Sequence, residues 1–333
     1  MSALAPWLVR SARPRVPQQV LDAALAGGDG SYEQAPATVS DTAVVMTRAP
    51  GGRAATLKLA VTGPGMAALE RERDILSRLG GDEGLGDWRR LLPVPLRWGE
   101  AGGGAFLLTT RLSGGDARHA GVAEAGQLTA AAVSAITPLH AHQRTVTAMD
   151  DAMTRAWVSE PAERLRRAVR SPAAVDRVAG LIQAGLAGAG LAMGWTHGDF
   201  HPGNVLTIGG TRTGTYPATS MRVTGVVDWD QAVWPGPVAV DLAFWLLTVP
   251  SEERGELGAR VAARLRRERP WTNAEQRLLD SACGDDPAVG RAVLLLAWLR
   301  HVAGNLAKSD RYARSPLWAR RNVRPVLRQA ARG

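Results

Sequence analysis

Polar and apolar positions alternate between about Ser31 and Ala60. DTAVVMTR and ATLKLAV each put every second side chain on one face, which predicts two strands joined by the turn APGGRA. The period then lengthens. In MAALERERDILSRLGG, residues Ala68, Glu72, Ile75, Leu76 and Leu79 share one face of a 100°-per-residue wheel, predicting a helix that stops at Gly80 and Gly81. RLLPVPLRWGE and AFLLTTRLSGG return to strand-like patterning, and the apolar run Phe106–Leu108 leads to a flexible Ser113-Gly114-Gly115, the expected hinge. Beyond it, helical periodicity predominates, near 121–142, 151–169, 173–189, 238–249, 274–283 and 287–307. VLTIGG and MRVTGVVD are the exceptions, two short strands joined by the loose TRTGTYPATS. The pattern predicts an α+β chain of two lobes. Residues 1–30 form an N-terminal extension with a short VLDAALA helix, 31–112 a small antiparallel-sheet lobe carrying one helix, and 113–333 a larger helical lobe ending in basic helices.

One position breaks that pattern usefully. Glu72 falls near the centre of the apolar stripe of its helix, where a carboxylate is costly unless paired. Glu70, in contrast, lies on the polar side with Arg73 and Asp74. The nearest basic candidate is Lys58 in the preceding strand. Of forty basic residues only Lys58 and Lys308 are lysines. A compact ammonium suits a phosphate site on a strand better than the broad fork of arginine. A strand lysine held by an inward helix glutamate is a kinase arrangement.

The chemistry concentrates in WTHGDFHPGNVL and VTGVVDWDQA. His197, Asp199 and Asn204 form an H-x-D-x-x-x-x-N string, and an apolar strand further on ends in Asp228. Phosphoryl transfer needs this set. One aspartate orients or deprotonates the acceptor hydroxyl, while an amide and a second carboxylate hold magnesium on the nucleotide phosphates. The histidines of HGDFH also match a metallohydrolase, but no further Cys, His or acid cluster supplies the remaining ligands. His197 is expected to hold the loop through a backbone hydrogen bond instead.

The motifs WTHGDFHPGNVL, GVVDWD and DLAFWLL, with LKLAV and LERERDILSRL upstream, resemble the aminoglycoside phosphotransferase and choline kinase family. The resemblance implies a protein-kinase-like fold and an ATP-dependent kinase using ATP and Mg²⁺. It implies Asp199 as the catalytic aspartate, Asn204 and Asp228 as the magnesium ligands, Lys58 on the α- and β-phosphates, and Glu72 as its partner. Asp241 would brace the catalytic loop. The chain also departs from the family. Pro235-Gly236-Pro237 lacks the aspartate of the usual G-D-P, and Thr110 replaces an acid at the hinge, so adenine recognition rests on backbone groups there. No G-x-G-x-x-G joins the first strands. Ser40, Asp41 and Thr42 are the candidates to cap the phosphates.

Composition narrows the rest. No apolar run reaches the ~18–20 residues of a membrane helix, and the arginines and prolines of the first twenty residues interrupt any signal-peptide core. A single cysteine, Cys283, suits a reducing cytoplasm. The net charge of +9 is uneven, with eight basic residues against one acid from His301 to Gly333. That tail is either a solvated helix face or a dock for an anionic partner; nothing else points to nucleic acid. Residues 251–333 hold seventeen basic and nine acidic residues, an awkward setting for a polycationic aminoglycoside. The expected acceptor is therefore a hydroxyl on a neutral or anionic small molecule (an antibiotic, sugar, nucleoside or other natural product). The alternatives are Ser or Thr of a peptide, or a nucleotide-binding pseudokinase. The tryptophans, Trp234, Trp245 and Trp298 among them, are expected to pack the core more than to form a cation cage.

Overall fold

A computed structural model describes residues 17–26, 32–34, 41–209, 220–252 and 255–331. The first lobe is a five-stranded antiparallel sheet made of β1 (Tyr32–Gln34), β2 (Thr42–Arg48), β3 (Ala54–Ala60), β4 (Pro95–Ala101) and β5 (Gly104–Thr110), in the order β1-β2-β3-β5-β4. Alternation fixes its faces. Leu57 and Leu59 of β3 are buried with Val45, Phe106 and Leu108. Helix α1 (Gln18–Leu25) lies within the segment expected to be an extension, and it closes that core with Val20 and Ala24.

Between β3 and β4 runs α2 (Gly63–Gly81). Thr62 caps it by accepting the Gly65 N–H at 3.2 Å, so the helix begins a turn earlier than MAALERER suggested. Its wheel divides as the periodicity predicts. Ala68, Leu69, Glu72, Leu76 and Leu79 are buried, and Arg73 meets Glu70 and Asp74 on the outer side. Leu76 and Leu79 insert into the core of the second lobe. The helix thus couples the two lobes.

The second lobe opens with β6 (Gly115–Asp116) and continues through α3 (Ala125–Ala141), β7 (Thr145–Thr147), α4 (Asp151–Thr154), α5 (Glu160–Ala168) and α6 (Pro172–Leu186). The single helix expected over 151–169 is interrupted by a π-helical stretch, Arg155–Ser159, that buries Trp157. Then come β8 (Leu191–Thr196), β9 (Val205–Ile208), β10 (Arg222–Val226), β11 (Val233–Pro237), α7 (Ala239–Thr248), α8 (Leu257–Leu265), α9 (Asn273–Cys283) and α10 (Pro287–Lys308). Three short helices finish the chain: α11 (Asp310–Ala313), α12 (Pro316–Asn322) and α13 (Arg324–Ala330). Two three-stranded sheets, β10-β9-β6 and β11-β8-β7, hold the motif loops on the cleft side of this helical mass. The fully buried β8 is new relative to the pattern. LAMGWT is apolar on both faces and so carries no alternation to reveal it.

Trp245 and Trp298 are core residues, as expected. Trp234 is not. It is 39% exposed and shares Arg78 with Trp195, the guanidinium lying 5.3 and 4.9 Å from the two ring centres. Among the described residues no helix is long and apolar enough to cross a membrane.

Candidate active site

The lobes enclose a cleft of about 750 Å³. The catalytic loop leaves β8 at His197, and its shape is set by hydrogen bonds to a buried carboxylate. Asp241, near the start of α7, accepts the backbone N–H of His197 at 2.7 Å and of Gly198 at 2.9 Å, and also faces Nε2 of His140 at 3.1 Å. Gly198 turns the chain with a φ of +78°, and a Cβ there would lie 2.2 Å from the carbonyl oxygen of Gln231. His197 is fully buried. Its Nδ1 accepts the Asp199 N–H at 3.3 Å, which leaves Nε2 to donate to the Val227 carbonyl at 2.9 Å. Burial lowers its pKa, consistent with a neutral ring that stitches the loop to the strand ending before Asp228.

Asn204 closes the loop. Its Nδ2 donates to the Asp199 carbonyl at 2.9 Å, and its own carbonyl accepts the Val227 N–H at 2.9 Å. The side-chain Oδ1 is therefore the atom offered to a cation. Asp228 follows in a left-handed conformation (φ 64°, ψ 63°) with its side chain 46% exposed towards the cleft. An amide oxygen and a carboxylate are hard donors that fit Mg²⁺, with phosphate and water completing the shell. Among the described residues no group of three or more His, Cys, Asp and Glu is arranged to hold a metal by itself, which leaves the metallohydrolase reading of HGDFH without support.

Across the cleft, Lys58 of β3 donates to both oxygens of Glu72, at 2.7 and 2.8 Å, and contacts Asp228 with the same ammonium. Burial works against the charge on Lys58, but Asp228 and Glu72 outweigh it and raise the pKa. Desolvation by the surrounding cleft walls likewise resists ionisation of Asp228. Lys58 and then Lys308 overcome this and bring the carboxyl to about 2. Burial pushes Glu72 up against the pull of Lys58. The pair read from periodicity is thus formed, and it reaches across the lobes to the motif aspartate.

Asp199 has partners that the sequence reading missed. His301 Nδ1 lies 3.2 Å from Oδ1, Lys308 Nζ 3.6 Å and His201 Nε2 3.8 Å from Oδ2. Burial resists its charge, yet Lys308 and the two histidines hold the carboxyl well below its usual range. Lys308 also pairs with the buried Asp230 at 3.2 Å. The basic tail is therefore divided. Lys308 is inside the cleft, and Arg321 sits at its edge, paired with Glu256 at 3.1 Å, whereas Arg314, Arg320, Arg324 and Arg328 are exposed. Two signals were available in the sequence. Lys308 is the chain's other lysine, and His301, Asn305 and Lys308 recur at i, i+4, i+7 on a largely apolar helix.

Thr42 lines the cleft at the start of β2, while Ser40 lies outside the described residues. Asp41, beside them, accepts from Thr62 Oγ1 at 3.1 Å and Ser309 Oγ at 2.7 Å, tying the strand loop to the end of α10. At the hinge the Thr110 hydroxyl accepts the Val94 N–H at 2.9 Å and so holds backbone.

Comparisons with known proteins identify the family and the fold. A family model described as the phosphotransferase enzyme family matches residues 31–276. Among solved structures, a thermostable mutant of aminoglycoside phosphotransferase APH(4)-Ia, in a ternary complex with AMP-PNP and hygromycin B, has a TM-score of 0.60 at 16% identity over 93% of this chain and 98% of that one. APH(3'')-Id from Streptomyces rimosus, in complex with ADP and streptomycin, has a TM-score of 0.51 at 20% identity over 83% and 94%. No curated protein sequence matches the chain. The chain belongs to the phosphotransferase enzyme family, as an ATP-dependent kinase with the two-lobed protein-kinase-like fold.

Proposed function

We propose that this protein transfers the γ-phosphoryl group of ATP to a hydroxyl of a neutral or anionic small molecule in the cytoplasm. The observation that carries the acceptor class is the pairing of the cleft's carboxylates. Away from the Lys58 cluster, Asp41 faces Arg311 at 3.9 Å, Asp116 Arg118 at 2.9 Å, Asp230 Lys308 at 3.2 Å and Glu256 Arg321 at 3.1 Å. A polycationic acceptor needs carboxylates that are not already neutralised by the protein. Hygromycin B and streptomycin in the neighbouring structures are antibiotics bound on this fold; here the paired acids favour a sugar, nucleoside or other hydroxylated natural product.

In this reading Asp199 accepts a hydrogen bond from the acceptor hydroxyl and takes its proton as the new O–P bond forms. The low basicity imposed by Lys308 and the histidines suits a residue that orients first and receives the proton late. Lys58, kept in place by Glu72, contacts the α- and β-phosphates. Asn204 and Asp228 would hold Mg²⁺, which neutralises charge on the phosphate oxygens. His197 and Asp241 keep the loop in register. Thr42 and Ser40 would border the phosphates from the sheet.

The test is a panel of hydroxyl compounds incubated with MgATP and read by mass spectrometry for gain of one phosphoryl group, with neutral, anionic and aminoglycoside members. The expected products come from the neutral or anionic members. Preferential phosphorylation of aminoglycosides would refute the acceptor class. Nucleotide binding without any transfer across a broad panel would favour a pseudokinase.

A further inference from the structure

Both lysines of the chain, of forty basic residues, line one cleft and contact the motif aspartates from opposite walls. Lys58 comes from the sheet and meets Asp228. Lys308 comes from the last turn of α10, 18% exposed, and meets Asp199 and Asp230. A helix end that needed only positive charge could use arginine, as this chain does at thirty-eight other positions. Asp199 marks where the acceptor hydroxyl is held, and Asp228 marks where metal and triphosphate are held. The group in transit passes between them. Lys308 lies 3.6 Å from the first and 3.2 Å from Asp230, two residues beyond the second, so its ammonium borders the space between them.

We infer that Lys308 is a second catalytic lysine, whose ammonium binds the oxygens of the γ-phosphoryl group and stabilises them during transfer. The inference rests on the phosphotransfer reading of the cleft. As the acceptor oxygen bonds to the γ-phosphorus, the bond to the β–γ bridging oxygen breaks and its electron pair leaves on ADP. The hydroxyl proton passes to Asp199. Lys308 neither gains nor loses a proton; it exchanges part of its contact with Asp199 and Asp230 for the phosphoryl oxygens. A preorganised cation aimed at developing charge needs no reorganisation beyond that exchange. The rest of the α10 stripe supports the placement. Asn305 Nδ2 lies 2.9 Å from Nε2 of His301, which fixes the ring with Nδ1 towards Oδ1 of Asp199 and leaves Lys308, two turns beyond His301, to face Oδ2 of the same carboxylate.

A structural counter-ion for Asp199 and Asp230 would serve di- and triphosphate equally, whereas a lysine on the γ-phosphoryl distinguishes them. Calorimetry with MgADP and MgAMP-PNP on the full chain reads the difference without any acceptor. In Lys308→Met the MgADP Kd should stay within about twofold, while MgAMP-PNP weakens about tenfold, the loss of one charge-assisted contact. Because Lys308→Met strands two buried carboxylates, the double variant Lys308→Met/Asp230→Asn, which removes one of them, should show the same selective loss in a protein that folds. Equal weakening of both nucleotides, or no change in either, would overturn the inference while leaving the kinase reading intact. Failure of the wild type to bind either nucleotide would overturn both.

Discussion

Asp241 holds the two backbone N–H groups that begin the catalytic loop, those of His197 and Gly198, with one carboxylate that is 1% exposed. Asp241→Ala should leave both donors buried without an acceptor, and should cost about 2–5 kcal/mol of stability. Denaturant unfolding of the variant, compared with Asp241→Asn, is the check. The asparagine, which keeps one acceptor oxygen, should lose less. A variant as stable as wild type would show that the loop is held elsewhere.

Asp199→Asn should retain the fold and MgATP affinity and reduce turnover by about 10²–10⁴. The companion measurement concerns the metal. Asp228→Ala should abolish the tightening of ATP binding by Mg²⁺ in calorimetry, because the second hard oxygen is gone. Full metal dependence in that variant would transfer the ligand role to the neighbouring Asp230.

Lys58→Arg keeps the charge but not the geometry. The ammonium of Lys58 serves Glu72 and Asp228 together in a space where only 12% of its side chain is exposed. A planar fork cannot satisfy both without displacing one. ATP affinity should fall and turnover should fall with it, and a wild-type rate in Lys58→Arg would count against the bridge.

The residues that could be read from sequence share a property: a local pattern pointed at them. Glu72 betrayed itself as a charge on an apolar face, and Asp199, Asn204 and Asp228 by fixed spacing in or after one loop. Lys308 and His301 meet Asp199 only because α10 packs back over the catalytic loop, a hundred residues from it in sequence, and no local pattern encodes that contact. β8 was hidden for a related reason. A strand buried on both faces has no polar partner face to alternate with. The net charge of the basic tail does not say which of its side chains turn inward, so Lys308 and Arg321 could not be told from the exposed Arg320, Arg324 and Arg328.

His201 provides a pH prediction. Burial, only partly offset by Asp199, lowers its pKa from 6.5 to about 4, and its Nδ1 accepts the Gly203 N–H at 3.0 Å, which requires the neutral ring. The unfolded chain therefore takes up the proton first as pH falls. The stability contributed by this group is complete above about pH 6.5 and is lost as pH falls towards about 4. Allowing for the 28% exposure of the side chain, the loss should be about 1–2 kcal/mol. His201→Asn, whose side-chain oxygen can still accept the Gly203 N–H, should flatten that limb of the stability curve. An unchanged slope would mean that other groups produce it.

Arg321 separates the two readings of the basic tail. It lines the cleft and neutralises Glu256, whereas Arg320, Arg324 and Arg328 are exposed on the outer side. Arg321→Gln should raise KM for the acceptor several-fold with little change in turnover at saturation, since binding shared by ground and transition states affects KM alone. The triple variant Arg320→Gln/Arg324→Gln/Arg328→Gln should leave KM within about twofold, because exposed charges are screened over ~8 Å at physiological ionic strength. Arg321→Gln also frees Glu256, so acceptor preference should move towards cationic compounds, measured as the ratio of kcat/KM for an aminoglycoside over a neutral acceptor. If the triple variant raises KM as much as Arg321→Gln does, the tail acts as a diffuse field. If the preference ratio does not move, Glu256 lies beyond the reach of the acceptor and its pairing with Arg321 serves the packing of α8 against α12.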